Sequence, residues 1–440
     1  MKEEFLHYLW KYSLFDPDKL LDNEGNKIYV LNPGEYNRDA GPDFFNTRLR
    51  IAGMEWAGNV EIHIRSSDFD NHKHNLDPAF DNVILHVVAD NDRKVFNSKG
   101  TEVLTVKLAF DFEVYDKYIS LVNNPFIIAC QTGISALDPL QIRHWLGSLV
   151  IERLQEKSDH IFKIYSNTGN DWEETFYRLL SRYFGFRVNT EPFEILAAAL
   201  PFRIIRKHSD NLFQIEALLF GTAGMLDEGL FREAVNDEYY LELIKEYRIL
   251  SVKYSLHPLH GWIWKFSRLR PANFPTVRIS QLAAMLTITG GLFSRTLEAR
   301  DITSLRSLFE AAASYYWDNH FVFGKKSRSY PKATGQQAAD ILLVNAVVPV
   351  LFVYGRNRDS QEICDRAVSF LEELGPEENS IIDEWRTAGI EADSAFISQA
   401  LIQLRNCYCK KRRCLECRIG AKLIGKGASL KRPDELILEP

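Results

Sequence analysis

The stretch on which the reading of this chain turns is Gly41–Val88, GPDFFNTRLRIAGMEWAGNVEIHIRSSDFDNHKHNLDPAFDNVILHVV. It gathers Asp43, Glu61, Asp68, Asp70, Asp77 and Asp81 with His63, His72, His74 and His86, four of the chain's eleven histidines. Side chains that bind metals and carry protons are concentrated on segments with strand periodicity, which hold such groups rigidly. This makes the stretch the best candidate for a functional site.

Within it, Phe45, Thr47, Leu49 and Ile51 alternate with their neighbours, Ala52-Gly53 punctuates, and Val60, Ile62 and Ile64 alternate again, the pattern of a β-hairpin over Asp43–Arg65. A three-residue loop Ile51-Ala52-Gly53, with Gly53 left-handed, sets Arg50 opposite Met54. Counting back along both strands brings Asp43 opposite Glu61 on one face of the sheet. Directly opposed Cβ atoms stand roughly 4.5 to 5.5 Å apart, near enough for two carboxylates to share a divalent cation. With a period of two, Glu61, His63 and Arg65 share that face, while Val60, Ile62 and Ile64 turn to the core. The same count puts Phe45 and Leu49 on the acid side, so that side is half covered. A one-residue slip would separate the two acids.

Outward from the hairpin, Glu3–Ser13 has helical spacing, with Phe5, Leu6, Leu9 and Trp10 on one face and Glu3, Glu4 and His7 on the other. Lys27–Leu31 reads as a short strand, Asn82–Val88 as a nearly all-apolar central strand and Val103–Leu108 as a fourth, giving a small mixed sheet. Beyond Leu137 the period changes to that of helices, over residues 139–157, 172–183, 192–207, 211–221, 303–316 and 336–353. The expected fold class is α+β: a sheet-bearing core at 1–135, a larger all-α region at 136–404 and a basic, cysteine-rich tail at 405–440.

The chain has 440 residues, 46% of them hydrophobic, and a net charge of −6, which fits folded domains and argues against a basic coat over the whole surface. The N-terminus MKEEFLHYLWKY lacks the basic start and continuous apolar core of a signal peptide. The best apolar run, Ile341–Tyr354, falls short of the roughly 20 residues that span a bilayer and reads as a buried helix. A cytoplasmic protein without a membrane partner is expected, in keeping with cysteines whose spacing suits reduced thiols.

Three groups carry chemistry. Asp43, Glu61 and His63 supply what phosphodiester cleavage needs, a site for Mg²⁺ or Mn²⁺ and a nearby group to orient water; the alternative is a polar sheet face whose acids meet Arg65. His72-x-His74, with Asp81, offers a second metal site of the kind zinc, manganese or iron prefers, against the alternative of turn-forming aspartates and a core His86. Cys407-x-Cys409-x4-Cys414-x2-Cys417 can hold zinc or an iron–sulfur cluster, or be a set of buried thiols. The spacing is tight for wrapping one ion, which favours a ligand from elsewhere in the chain. Lys410, Lys411, Arg412, Arg413 and Arg418 interleave with these cysteines and form the best nucleic-acid footprint in the chain, with a solvated basic tail as the alternative. His257–Trp264 and Arg268-Leu-Arg270-Pro read either as a stacking groove or as loop anchors.

The hairpin Gly41-Pro42-Asp43 … Glu61-Ile62-His63 resembles the core of the PD-(D/E)XK phosphodiesterase superfamily, the fold of restriction-enzyme-type nucleases. The resemblance covers about residues 1–110. It implies that Asp43 and Glu61 hold magnesium or manganese, with help from a first-helix acid such as Glu4; the departure is His63, where that pattern has lysine. Over nearly its full length the chain also resembles an uncharacterised bacterial family of unknown function, through NRDAGPDF, GNVEIHIRSSDF, HKHNLDPAFDNVILHVV, FQIEALLFGTAG, RPANFPTVRISQLA and RRCLECRIG. The function expected from these observations is a metal-dependent nuclease, with a non-catalytic nucleic-acid- or protein-binding scaffold as the alternative.

Overall fold

The computed structural model describes residues 1–227, 229–287 and 291–425. The chain is a mixed α+β protein that divides into two compact units. Among the described residues, the first comprises Met1–Trp145, Glu384–Ile390 and 404–425; the second comprises Leu146–Asp383 and Glu391–Gln403.

In the first unit, helix α1 (Glu3–Lys11) is followed by β1 (Ile28–Asn32), β2 (Glu35–Tyr36), β3 (Phe44–Ile51) and β4 (Met54–Arg65). A short helix α2 (Asp68–Asn71) and two 3₁₀ turns lead to β5 (Val83–Asp90) and β6 (Thr105–Lys107), and α3 (Phe112–Val122) closes the layer. The sheet order is β1-β3-β4-β5-β6, with β2 also on β3. β1, β3 and β4 are antiparallel, whereas β5 runs parallel to β4 and β6 parallel to β5. A parallel neighbour needs a crossover, and residues 66–82, which carry His72 and His74, supply it.

The hairpin reaches its register by an unexpected route. Its turn has two residues, Ala52 at φ 48° and Gly53 at φ 81°, the double left-handed pattern of a type I′ turn. Ile51 therefore faces Met54 and Arg50 faces Glu55, one residue away from the expected pairing. Farther along, the register changes between Thr47↔Gly58 and Phe44↔Val60, where Asn46 adopts φ 58°. This β-bulge sets two residues of β3 against one of β4 and shifts the pairing back by one. The two departures cancel at Asp43, which lies beside Glu61, but not between them. Leu49, expected on the acid side, is fully buried in the core with Thr47 and Ile51 on its face of the strand.

That core packs Phe5, Leu6, Leu9 and Trp10 of α1 against Phe44, Leu49, Val60, Ile62, Leu85 and Val87 of the sheet, with Val114 and Tyr118 of α3 and Ala421 and Ile424 of the helix Arg418–Gly425. A second cluster, Phe69, Phe80, Val83, Val95 and Val103, packs on the crossover side.

The second unit is helical. The 192–207 segment, expected as one helix, is two, Thr190–Ala199 and Phe202–Ile205, because Pro201 pushes Leu200 out of the helical region. The 303–316 segment stops being helical at Ser307 and then pairs Ala312 with Ala333; its apolar spacing reflects burial of Leu305, Phe309, Ala313 and Tyr316, not backbone periodicity. The apolar run Ile341–Tyr354 lies in the continuous helical stretch Gln336–Asn357, long and apolar enough to cross a membrane by composition but mostly buried within its unit.

Candidate functional site

The parallel pairing of β4 and β5 sets Glu61 opposite His86 and His63 opposite Val88. Alternation turns Glu61, His63 and His86 away from the Val60–Ile62–Val87 core and toward the crossover. There Ser66 and Ser67 are pinned by Asp92, and Lys73 takes a left-handed turn (φ 66°) between His72 and His74. That single reversal lets two histidines so close in sequence aim at one place. The His74 ring is stacked on Phe80 at 3.8 Å and meets the edge of Phe69, which also packs on His63 and His86.

The result is a convergent donor set. Glu61 Oε1 stands 3.2 Å from His74 Nε2 and 3.5 Å from His63 Nε2, and His63 Nε2 stands 3.1 Å from His72 Nδ1. The ligand atoms of His63, His72 and His74 all lie within 4.8 Å of one another. Donors about 2.1 Å from a tetrahedral ion stand about 3.4 Å apart, so this spacing suits a transition-metal ion with little movement. Glu61, His63 and His86 are buried, His74 is half-buried and His72 is exposed.

The hydrogen bonds behind the rings have a direction. Thr105 Oγ1 donates to the Val103 carbonyl at 3.1 Å, which leaves it to accept from His86 Nδ1 at 3.4 Å. His86 Nε2 then accepts from His63 Nδ1 at 2.9 Å, and the lone pair of His63 Nε2 is left facing Glu61, His72 and His74. Fixing the tautomer through the far ring nitrogen is how metal-binding histidines are oriented. Burial, reinforced by the neighbouring imidazoles, pushes His63 down to about 2 and His86 to about 3, so both rings are neutral, as a ligating His63 and its hydrogen-bond partner His86 need to be.

Asp43 supports this set. Its N–H donates to Glu61 Oε2 at 3.1 Å, its Oδ2 accepts from the Ile62 N–H at 2.9 Å, and His7 Nε2 lies 3.3 Å from the same oxygen. One carboxylate thus orients the other, leaving Glu61 Oε1 toward the imidazoles. The acid supplied by the first helix is Glu3 rather than Glu4. With Phe5, Leu6 and Leu9 buried, Glu3 and His7, one helical turn apart, flank the site, and Glu3 Oε1 is 4.0 Å from His63 Nε2; Glu4 is exposed. Burial, then repulsion from Asp43 and Glu61, raises Glu3 to about 7 against the opposing pull of His7. Glu61 is raised by burial, against its hydrogen bond with His74. At His7 burial opposes the charged form, but Asp43 and Glu3 outweigh it and the pKa is raised.

Other candidates lie elsewhere. Asp81 accepts from Ser98 N–H and Oγ at 3.1 and 2.8 Å and pairs with Lys99, anchoring a turn instead of joining His72 and His74. Of the basic residues, Arg412 donates to the carbonyls of Asn124, Phe126 and Ile127, Arg413 grips Glu416 with both arms, and Arg418 covers the Trp145 ring; Lys410 and Lys411 are exposed. The basic run beyond Gly425 lies outside the described residues. Trp264 is a loop anchor, its indole N–H donating to the Ala223 carbonyl at 2.8 Å. Cys407, Cys409, Cys414 and Cys417 form no disulfide.

Residues 3–380 match the family described as protein of unknown function (DUF2851). The chain belongs to this family. The match takes in α1, the whole sheet and every side chain of the site, and ends before the cysteine-rich segment. No curated protein and no solved structure matches the chain.

Proposed function

We propose that this DUF2851 protein is a metal-dependent hydrolase that cuts phosphodiester bonds in nucleic acid in the cytoplasm. The observation that carries the reading is the approach of Glu61 Oε1 to His74 Nε2 and His63 Nε2, at 3.2 and 3.5 Å. Glu61, His63 and His74 form the held part of the metal site and His72 its exposed arm. Imidazole-rich donors favour Zn²⁺, Mn²⁺ or Fe²⁺ over the Mg²⁺ that a bare carboxylate pair would take. Such an ion supplies Lewis acidity and lowers the pKa of a bound water. Asp43 holds Glu61 in place, and Glu3, poised near neutrality, exchanges a proton at its Oε1.

The phosphodiester assignment draws support from the G-P-D … E-I-H hairpin and its resemblance to the PD-(D/E)XK core. Arg38, on the loop that delivers Asp43, lies 3.5 Å from Glu416 of the cysteine-rich segment, which also carries the exposed Lys410 and Lys411, cations of the kind that take up a phosphate chain.

A second reading has an observation of its own. If His72 also ligates, four protein donors close the tetrahedron, which is the mark of a structural site, and the protein is a binding scaffold. Incubating the purified protein with Mn²⁺, Zn²⁺ or Mg²⁺ and single-stranded, double-stranded or branched DNA and RNA separates the two. Hydrolysis is expected with the transition metals and lost in Glu61→Gln; metal binding without cleavage of any substrate overturns the hydrolase reading.

A further inference from the structure

The cysteine-rich segment contains four thiols in eleven residues, Cys407 to Cys417, yet its backbone does not let all four meet. Cys407 and Cys409 close a helical turn of π type, Leu404–Cys409. Residues two apart on a helix point to nearly opposite sides, so an ion held by Cys409 is out of reach of Cys407. After Cys409 the chain reverses: the Arg412 N–H donates to the Cys409 carbonyl at 3.1 Å, Arg412 adopts φ 56°, and the Cys417 N–H donates to the Arg413 carbonyl at 3.1 Å. This knuckle returns Cys414 and Cys417 toward Cys409, near enough for Cys409 to interact electrostatically with both. The helix Arg418–Gly425 presses on it so closely that a Cβ on Gly420 would stand 2.4 Å from the Cys414 carbonyl oxygen.

The missing donor comes from far away in sequence. The Arg412 guanidinium takes the carbonyls of Asn124, Phe126 and Ile127, at 2.5 to 3.3 Å, and so fastens the 124–134 loop to the knuckle. Gly133 of the same loop packs on Leu423. Cys130 lies between these two attachments, buried. It interacts electrostatically with Cys414 and Cys417, and Cys409 does so with Cys130, Cys414 and Cys417. Beside Cys417 stands Trp145, 8% exposed, whose indole N–H has no oxygen or nitrogen partner and faces the sulfur.

We propose that Cys130, Cys409, Cys414 and Cys417 bind one zinc ion as a tetrathiolate, with Cys130 in the place that the sequence spacing assigns to Cys407. Four sulfurs fill a tetrahedral coordination shell with no open position, so the role is structural. Each thiol gives up its proton to solvent as the ion binds, and the Arg412 guanidinium offsets part of the resulting negative charge. The ion staples the loop that follows α3 to the basic segment, independently of the histidine site.

The test uses the full chain. Mass spectrometry after alkylation of the native zinc-loaded protein is expected to show Cys130, Cys409, Cys414 and Cys417 protected, and all four labelled once a zinc chelator is added, with the labelling of Cys407 unchanged by the chelator. Cobalt in place of zinc is expected to give the strong visible and near-ultraviolet bands of a tetrahedral tetrathiolate, a signature the histidine site cannot produce. Cys130→Ser is expected to lose one equivalent of zinc and Cys407→Ser none. Chelator-sensitive protection of Cys407 with Cys130 always reactive, acid-labile sulfide in the purified protein, or chelator-insensitive labelling of all four would each overturn the proposal. Because the alkylation is read on the unmodified chain, a Cys130 variant that fails to fold does not decide the matter.

Discussion

Deleting Asn46 removes the extra residue of the β-bulge while leaving the site's own residues in the chain. Thr47↔Gly58 and Phe44↔Val60 are then separated by one residue on each strand, so the ladder becomes regular: both pairings are kept, Phe44 and Thr47 both still face the core, and Asp43 stays beside Glu61. Relief of the left-handed Asn46 returns about 1 kcal/mol. The slack falls on the other edge of β3, where the hydrogen bond that Thr47 Oγ1 donates to the Pro33 carbonyl is lost, at a cost of about 0.5 to 1.5 kcal/mol. Stability is therefore expected to change by no more than about 1 kcal/mol, and the hydrogen bonds from the Asp43 N–H to Glu61 and from the Ile62 N–H to Asp43 are kept. Calorimetric titration with Mn²⁺ or Zn²⁺ is expected to show affinity close to that of the natural chain, without the roughly 10- to 100-fold fall that loss of outer-shell support brings. The amides of Asp43 and Ile62 should stay protected from exchange. Asn46→Val, which keeps the bulge but puts a β-branched residue at φ 58°, should instead cost about 1 to 2 kcal/mol of stability. A deletion variant whose metal affinity falls about 10-fold or more, with fast exchange at both amides, refutes the register argument.

Three further outcomes follow from the same geometry. Thr105→Val removes the acceptor that starts the directed chain through His86 to His63, and is expected to weaken metal binding about tenfold in titration calorimetry with little change in fold. His74→Ala, which removes a held ligand, should lower affinity more than 100-fold, whereas His72→Ala should lower it less than tenfold if a water position is left open, as hydrolysis needs. Acid should destabilise the metal-free protein in two stages. Below the ordinary value of 6.5 the unfolded chain protonates His63 and His86, which the fold holds near 3 or lower, so each ring removes stability as the pH falls, at roughly 1.4 kcal/mol per pH unit. Glu3 and Glu61, both raised, protonate in the fold before they do in the unfolded chain and offset this down to about pH 4.5, where the unfolded glutamates protonate too, while His7, raised from 6.5, adds stability with falling pH only above that value. Circular dichroism should therefore show a shallow change above pH 4.5 and a steep one below it, flattened in the His63→Leu/His86→Leu variant; a decline of constant slope from pH 6.5 would contradict the assignment.

The hairpin and the neighbours Asp43 and Glu61 were legible because alternation is a strong signal and because two deviations cancelled. Ala52 in a left-handed turn and Asn46 in a bulge are each compatible with many sequences, so a local count cannot see either; Asn46 is at least a residue that tolerates φ above zero. The convergence of His72 and His74 on Glu61 depends on one backbone reversal at Lys73, a residue with no turn signature. Glu3 and His7 stood on the polar face of an evident amphipathic helix, but which of Glu3 and Glu4 reaches the site depends on the rotation set by Phe5 and Leu9 in the core. Arg412 and Arg413 read as a nucleic-acid surface because charge is visible in sequence, whereas the backbone carbonyls and the Glu416 carboxylate that occupy them are not. Cys130 had no neighbour in sequence to mark it.

The position a metal ion takes is the most direct test of the site. Crystals soaked in Mn²⁺ or Zn²⁺, with anomalous scattering to locate the ion, are predicted to show it within about 2.0 to 2.3 Å of Glu61 Oε1, His63 Nε2 and His74 Nε2, with Asp43 still bonded to the Ile62 N–H. A site without an anomalous peak at saturating metal, or an ion held by Asp43 with His63 and His74 unliganded, would contradict it.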